Sequence, residues 1–315
     1  MPSTPPQVDE HGFPIPPTFD DPNGAGKRRG SPRKLVLWGL FLVFVALLAG
    51  GVAESGGWKE AKDWMAGVLV NRAREKVALG DLPGALTDLQ RASAWSPDNP
   101  NIFKLRADIK QELNDFAGSL EDYDRVIKLN GRHAAAYNGR SRVYQRLNRH
   151  REAIDDLTQV VKLSSERDPM SRNNRAYARA IGGLELEEGF QDIEAALALS
   201  ADLRGEANDA EHALAALLDT RGYLHFLLGR PEPALADLDQ AVKNAKKEHE
   251  SSLDIIEKRY GAKARRYYQT EFNKELAVIY HHRGQIHEAL GHSPEAQDDL
   301  KRGDELGYNP AEGVY

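Results

Sequence analysis

Four histidines crowd one stretch of the chain, His281, His282, His287 and His292, the last two bounding the string HEALGH at 287–292. Two histidines one helical turn apart, with a glutamate beside the first, would bind zinc and offer a base to its water. Position 291 is glycine, and no two of the four are three or four residues apart, so one helix face does not present a pair. The acid pairs Asp155-Asp156 and Asp298-Asp299 invite a general acid-base reading. Asp88, Asp122 and Asp299, however, each have an arginine three residues on (Arg91, Arg125, Arg302), and ordinary pairing along a helix face accounts for them. The chain has no cysteine, which removes thiolate metal sites, cysteine nucleophiles and disulfides. No catalytic residue, cofactor or metal is expected. A metal-dependent or enzyme-associated role for the histidine-rich segment is the alternative from another class.

With catalysis set aside, the elements that carry these residues become the question. The 315 residues are 41% apolar and 29% charged, with a formal net charge of −6, a well-solvated and mildly acidic surface that argues against nucleic-acid binding. Residues 1–34 hold eight of the sixteen prolines and a basic run ending at Lys34, a composition that buries too little apolar surface to order itself. Residues 35–53, LVLWGLFLVFVALLAGGVA, carry no charge, and as a helix rising about 1.5 Å per residue they nearly match a hydrocarbon core of roughly 30 Å. Lys27, Arg28, Arg29, Arg33 and Lys34 precede this run, whereas Glu54, Glu60 and Asp63 dilute the lysines after it. That asymmetry places the tail in the cytoplasm and everything beyond Ala53 across the membrane, in a periplasm if the organism is a diderm bacterium. Gly51, Val52 and Ala53 would also suit a signal peptidase. The long tail and long apolar run favour an uncleaved anchor, and a cleaved, soluble periplasmic adaptor is the alternative. Residues 54–64 form a linker and the start of the first helix.

Beyond residue 65 an Asp followed by a large apolar residue recurs at Asp88, Asp122, Asp156, Asp192, Asp237 and Asp299, at intervals of 34, 34, 36, 45 and 62. Small residues flank each anchor, three before it (Ala85, Ser119, Ala153, Gly189, Ala234, Ala296) and four after it (Ala92, Val126, Val160, Ala196, Ala241, Gly303), so one helix face permits close approach. Gly80, Asn114, Asn148, Gly229 and Gly291 stand upstream, residues that end helices in the left-handed conformation. In the fourth copy Leu184 stands at the turn position. The large residues Leu157 and Leu238 are expected in the core, and substituting Asp156 is expected to cost much less than truncating either.

This frame resembles the tetratricopeptide repeat; Gly222, Leu228, Gly229, Ala234, Leu238 and Ala241 form the fullest copy, and Pro97 supplies a closing proline. The resemblance covers about residues 65–310, leaving 311–315 as a tail. It implies an all-α, right-handed solenoid of about six helix-turn-helix copies whose first helices line a concave groove, and a scaffold that binds a protein or peptide there. In the family's register that wall carries Lys104, Asp108 and Gln111, then Asn138, Arg142 and Gln145, then Asn173 and Tyr177, then Asp219, Tyr223 and Phe226. Lys104, Asn138, Arg142, Asn173, Tyr177 and Tyr223 are the candidate peptide-binding residues. Lys104, Asn138, Arg142 and Asn173 look like part of a carboxylate-capturing set, which Asp108 disrupts. The long last interval predicts two lengthened helices meeting near Gly261, an extension at about 243–275. Lys258, Arg259, Lys263, Arg265 and Arg266 beside Tyr267 and Tyr268 suit a nucleic-acid or lipid-headgroup patch, or a solvated helix face, the reading preferred here.

Overall fold

The computed structural model describes residues 57–164, 168–203 and 214–309. The basic tail, the apolar run 35–53 and residues 311–315 lie outside the described residues. Among those described, no helix is long and apolar enough to cross a membrane, and the secondary structure is twelve helices with no strand.

The chain divides into two compact blocks, Met1–Gly131 and Arg132–Tyr315. The first block contains α1 (Gly57–Ala78), α2 (Leu82–Trp95), α3 (Pro100–Glu112) and α4 (Phe116–Leu129). The second contains α5 (Ala134–Arg146), α6 (His150–Leu163), α7 (Pro169–Gly182), α8 (Leu186–Leu203), α9 (Leu214–Leu227), α10 (Pro231–Tyr260), α11 (Ala262–Ala289) and α12 (Ser293–Glu305). Successive pairs form six helical hairpins, each helix packing on the next in chain order within its block.

Local chemistry sets these boundaries. Asp81 and Asp115 cap α2 and α4 by accepting from the Gly84 and Gly118 amides at 2.9 and 3.0 Å. Pro100, Pro169 and Pro231 open α3, α7 and α10, where a missing N–H costs nothing. Five hairpins turn through a left-handed residue, Gly80, Asn114, Asn148, Gly229 or Gly291, with φ between 55° and 78°. The fourth differs from expectation: Gly183 takes the left-handed conformation at φ 61° and Glu185 repeats it at 49°, with Leu184 between them. Counted from the left-handed residue to the next helix, the turn there is one residue longer.

The core follows the small-and-large frame. Ala85, Leu89 and Ala92 of α2 meet Ala66, Leu69 and Ala73 of α1 and Ile102, Leu105 and Ile109 of α3. Leu157 and Leu238 are buried, 1% and 0% exposed. Where Ser119 replaces alanine, its hydroxyl donates to the Ala107 carbonyl at 2.9 Å, so the small residue is satisfied in the interior.

The anchor aspartates are held across the hairpin rather than along their own helix face. All six are buried, and each is gripped by a guanidinium from the first helix of its own hairpin. Arg140 donates through Nε and Nη2 to Asp156 at 2.8 and 2.6 Å, Arg175 to Asp192 at 2.7 Å twice, Arg221 to Asp237 at 2.8 and 2.7 Å, and Arg283 to Asp299 at 2.6 and 2.8 Å. Arg72 and Arg106 hold Asp88 and Asp122 in the same way. The separation is 16 residues in five hairpins and 17 in the fourth, where the longer turn adds one. Two arginines expected as partners go elsewhere: Arg125 to the Pro97 carbonyl at 3.2 Å, and Arg302 to the exposed Asp298 at 2.8 Å. A planar fork spanning two helices satisfies both carboxylate oxygens, which an i,i+3 neighbour cannot do for a residue facing inward.

The third guanidinium nitrogen reaches back one hairpin. Nη1 of Arg106, Arg175, Arg221 and Arg283 meets Gln90 (3.0 Å), Thr158 (3.3 Å), Glu194 (3.1 Å) and Asp239 (2.8 Å), each two residues beyond the previous anchor. One side chain thus closes its own hairpin and ties it to its neighbour.

The lengthened α10 and α11 meet at Gly261, φ 84°. Along their added length Ala245, Leu253, Ile256 and Ala264 are buried, and His249 stacks on Phe272 at 4.5 Å while its Nε2 lies 2.7 Å from Glu275. At the tip Arg265 pairs with Asp254 at 2.8 Å and Glu257 at 3.2 Å, and Tyr268 is buried with its phenol pushed up to about 12, first by burial and then by Tyr267.

Candidate functional site

The clamp arginines give the register of the first helices. Residues two positions before them are Lys104, Asn138, Asn173, Asp219 and His281; those two after are Asp108, Arg142, Tyr177, Tyr223 and Gln285. These two positions are four residues apart and share one helix face, the one turned away from the clamp arginine.

In the first block, Lys104 pairs with Asp108 at 2.8 Å, and the same buried carboxylate accepts from the Tyr123 hydroxyl at 2.6 Å. Lys104 is therefore engaged within its own helix. In the second block, Asn138 and Arg142 lie half-buried on α5, and Asn173, Tyr177 and Tyr223 follow on α7 and α9. Asn173 is 0% exposed, yet neither its Oδ1 nor its Nδ2 has a hydrogen-bond partner among the described residues. Nε of Arg142, Oδ1 of Asn174 and Oγ1 of Thr220 share that condition.

Farther along, the wall becomes aromatic. Buried Asp219 lies 2.9 Å from Nδ1 of buried His282. Tyr223 stacks on the His282 ring with centroids 4.2 Å apart and planes 11° from parallel, and Tyr177 approaches the same ring at 6.4 Å. Tyr177 on α7 and His282 on α11 belong to alternate hairpins, so the first helices converge on this side and make it the concave one. Burial, and after it the Asp219 carboxylate, holds the Tyr177 and Tyr223 phenols above their usual range. Both remain hydrogen-bond donors at neutral pH. Burial, followed by neighbouring His282, pushes His281 below the usual imidazole value.

Register analysis places Tyr177 and Tyr223 together, as the structure does. It omits His281 and His282 from the wall, because the lengthened α10 and α11 set Asp219 and its imidazole partner 63 positions apart. The two histidines of HEALGH also meet, His287 Nδ1 to His292 Nδ1 at 3.2 Å, across the turn. Among the described residues no group of three or more His, Asp or Glu side chains is placed to hold a metal ion.

Residues 134–167, the third hairpin, match the tetratricopeptide repeat family. No curated protein matches the chain. Similar solved structures include PilW, a type IV pilus biogenesis factor, at 15% identity over 78% of this chain and 96% of that one, with a TM-score of 0.53. A tetratricopeptide repeat protein from Parabacteroides merdae shares 16% identity over 78% and 95%, TM-score 0.51. MamA from Desulfovibrio magneticus RS-1 shares 17% over 58% and 96%, TM-score 0.50. At these identities the likeness shows the fold alone, an all-α, tetratricopeptide-like array of helical hairpins.

Proposed function

We propose that the chain is a membrane-anchored scaffold that captures a protein or peptide segment on the concave wall of its second block. The observation that carries this reading is Asn173, completely buried with both amide atoms unpaired. A buried polar atom without a partner costs about 1–3 kcal/mol. An extended peptide, with its alternating N–H and C=O groups, supplies both partners at once. Arg142, with its Nε likewise unpaired, adds a cation for a carboxylate of the same segment.

The anchor rests on the uncharged run 35–53 and the basic residues before it. Trp58, Trp64 and Trp95 support it. Each is 39–43% exposed, and the Ser96 hydroxyl, donating to Asp63 at 2.7 Å, fastens the end of α2 beside the start of α1. Indole rings at that end suit a membrane-water interface. A reporter active only outside the cytoplasm, fused after Tyr315, should be active, and the protein should resist carbonate extraction. A shortened, extractable chain beginning near Glu54 would establish the cleaved adaptor instead.

Crosslinking in cells from the concave wall, followed by mass spectrometry, tests the scaffold. Arg142→Glu should reduce partner recovery while leaving helicity unchanged, because the substitution breaks no ion pair among the described residues and sets repulsion against an acidic partner. Undiminished recovery would place capture on another surface.

A further inference from the structure

The aromatic end of the concave wall already holds a side chain from elsewhere in the chain. α12 ends at Glu305, the backbone turns through Gly307 at φ 89°, and the Tyr308 amide donates to the Gly303 carbonyl at 2.9 Å. Gly303 permits this approach: a Cβ there would lie 3.1 Å from the Ala277 carbonyl and 3.8 Å from Cβ of His281. The Tyr308 ring consequently lies flat on His281, centroids 3.8 Å apart and planes 12° from parallel.

His281 occupies the same inner row as Asn138, Asn173 and Asp219, two residues before its clamp arginine. Tyr308 therefore sits on the binding row, not on the outer edge where a further hairpin would stack. Its phenol is raised by burial, then by Tyr223 and Asp219, the carboxylate that also raises the Tyr177 and Tyr223 phenols. Elsewhere on these first helices the Thr220 hydroxyl and the Asn173 amide have no partner among the described residues.

We propose that the wall formed by Tyr177, Tyr223, His281 and His282 is a subsite for a tyrosine side chain of the captured segment, and that Tyr308 occupies it in cis as a competing ligand. The proposal rests on the scaffold reading above and specifies its partner: an extended segment whose tyrosine stacks on His281 while its backbone meets Asn173. Capture must first displace Tyr308, and apparent affinity falls by the fraction of chains in which the subsite is already filled.

The chain's own residues 304–315, DELGYNPAEGVY, provide the probe. A fluorescent peptide of that sequence is titrated in detergent with the full chain and with its Tyr308→Ala, Tyr308→Lys and Tyr308→Phe variants, and binding is read by anisotropy. Tyr308→Ala and Tyr308→Lys should each bind at least tenfold more tightly than the parent, and Tyr308→Phe, which keeps the stacked ring, should stay near the parent. His281→Ala in the Tyr308→Ala background should abolish the gain, and a peptide with alanine replacing its first tyrosine should not bind. Equal affinity for parent and Tyr308→Ala, or equal binding of the alanine peptide, would overturn the proposal and leave Tyr308 as a cover for the last hairpin. Were that result joined to loss of partner recovery in Arg142→Glu, the scaffold reading would stand and only the tyrosine subsite would fall.

Discussion

Arg140 and Asp156 face each other across the third hairpin as a fork and its target, with Nε to Oδ2 at 2.8 Å and Nη2 to Oδ1 at 2.6 Å. Asp156 is buried beside Leu157, and the two neighbours hold the hairpin by different physics. Removing one partner of a buried ion pair strands the other, at about 3–5 kcal/mol. Truncating a buried leucine costs about 2–5 kcal/mol. Asp156→Ala and Leu157→Ala should therefore destabilise the third hairpin comparably, measured by hydrogen exchange of its amides because repeat arrays need not unfold in one step. Replacing both partners, Arg140→Met with Asp156→Leu, should recover most of the loss. A small effect of Asp156→Ala alone would mean the clamp adds little.

Gly229 tests the turn. Its φ of 74° lies in the left-handed region and nothing stands within 4 Å of where a Cβ would be, so backbone conformation alone decides the outcome. Gly229→Ala should cost about 1–2 kcal/mol. Gly229→Asn should cost less, since Asn114 and Asn148 hold the equivalent turns at φ 60° and 55°. Thermal midpoints of the two variants against the parent decide it, and equal losses would contradict the argument.

Acid titration tests the clamp by another route. The hydrogen bond from Arg72 holds the Asp88 carboxyl below its usual range, against the opposing effect of burial and with help from Lys76. A carboxylate depressed in the folded state contributes stability that is complete above its unfolded pKa, about 3.9, and declines as pH falls through the folded value. Between pH 5 and pH 2.5 the melting midpoint of Asp88→Asn should consequently fall by less than that of the parent. Parallel profiles would show that this pair does not contribute to acid sensitivity.

The repeat was legible because its signals are local. Ala85, Asp88, Leu89 and Ala92 lie within two helical turns, and a turn residue such as Asn148 declares itself by type. The role of the aspartates was not legible. Their partner stands 16 residues upstream across a turn, while a tempting arginine stands three residues downstream of Asp88, Asp122 and Asp299. In the fourth hairpin, Leu184 at the expected turn position concealed that Gly183 and Glu185 share the task. The candidate wall divided similarly. Tyr177 and Tyr223 followed from register, whereas His281, His282 and Tyr308 meet them only because α10 and α11 run out to Gly261 and back before the sixth hairpin resumes the frame.

The placement of the clamp bears on how such a chain can change length over generations. Each buried aspartate finds its fork inside its own hairpin, whereas the reach back to the preceding hairpin ends on Gln90, Thr158, Glu194 or Asp239, four different residues and three chemistries at one position. The invariant pairing is internal and the tolerant one lies at the joint. Unequal recombination that gained or lost a whole hairpin would bring both partners of each Arg–Asp clamp in or out together, and the clamp's one contact across the joint would be one that already accepts an amide, a hydroxyl or a carboxylate.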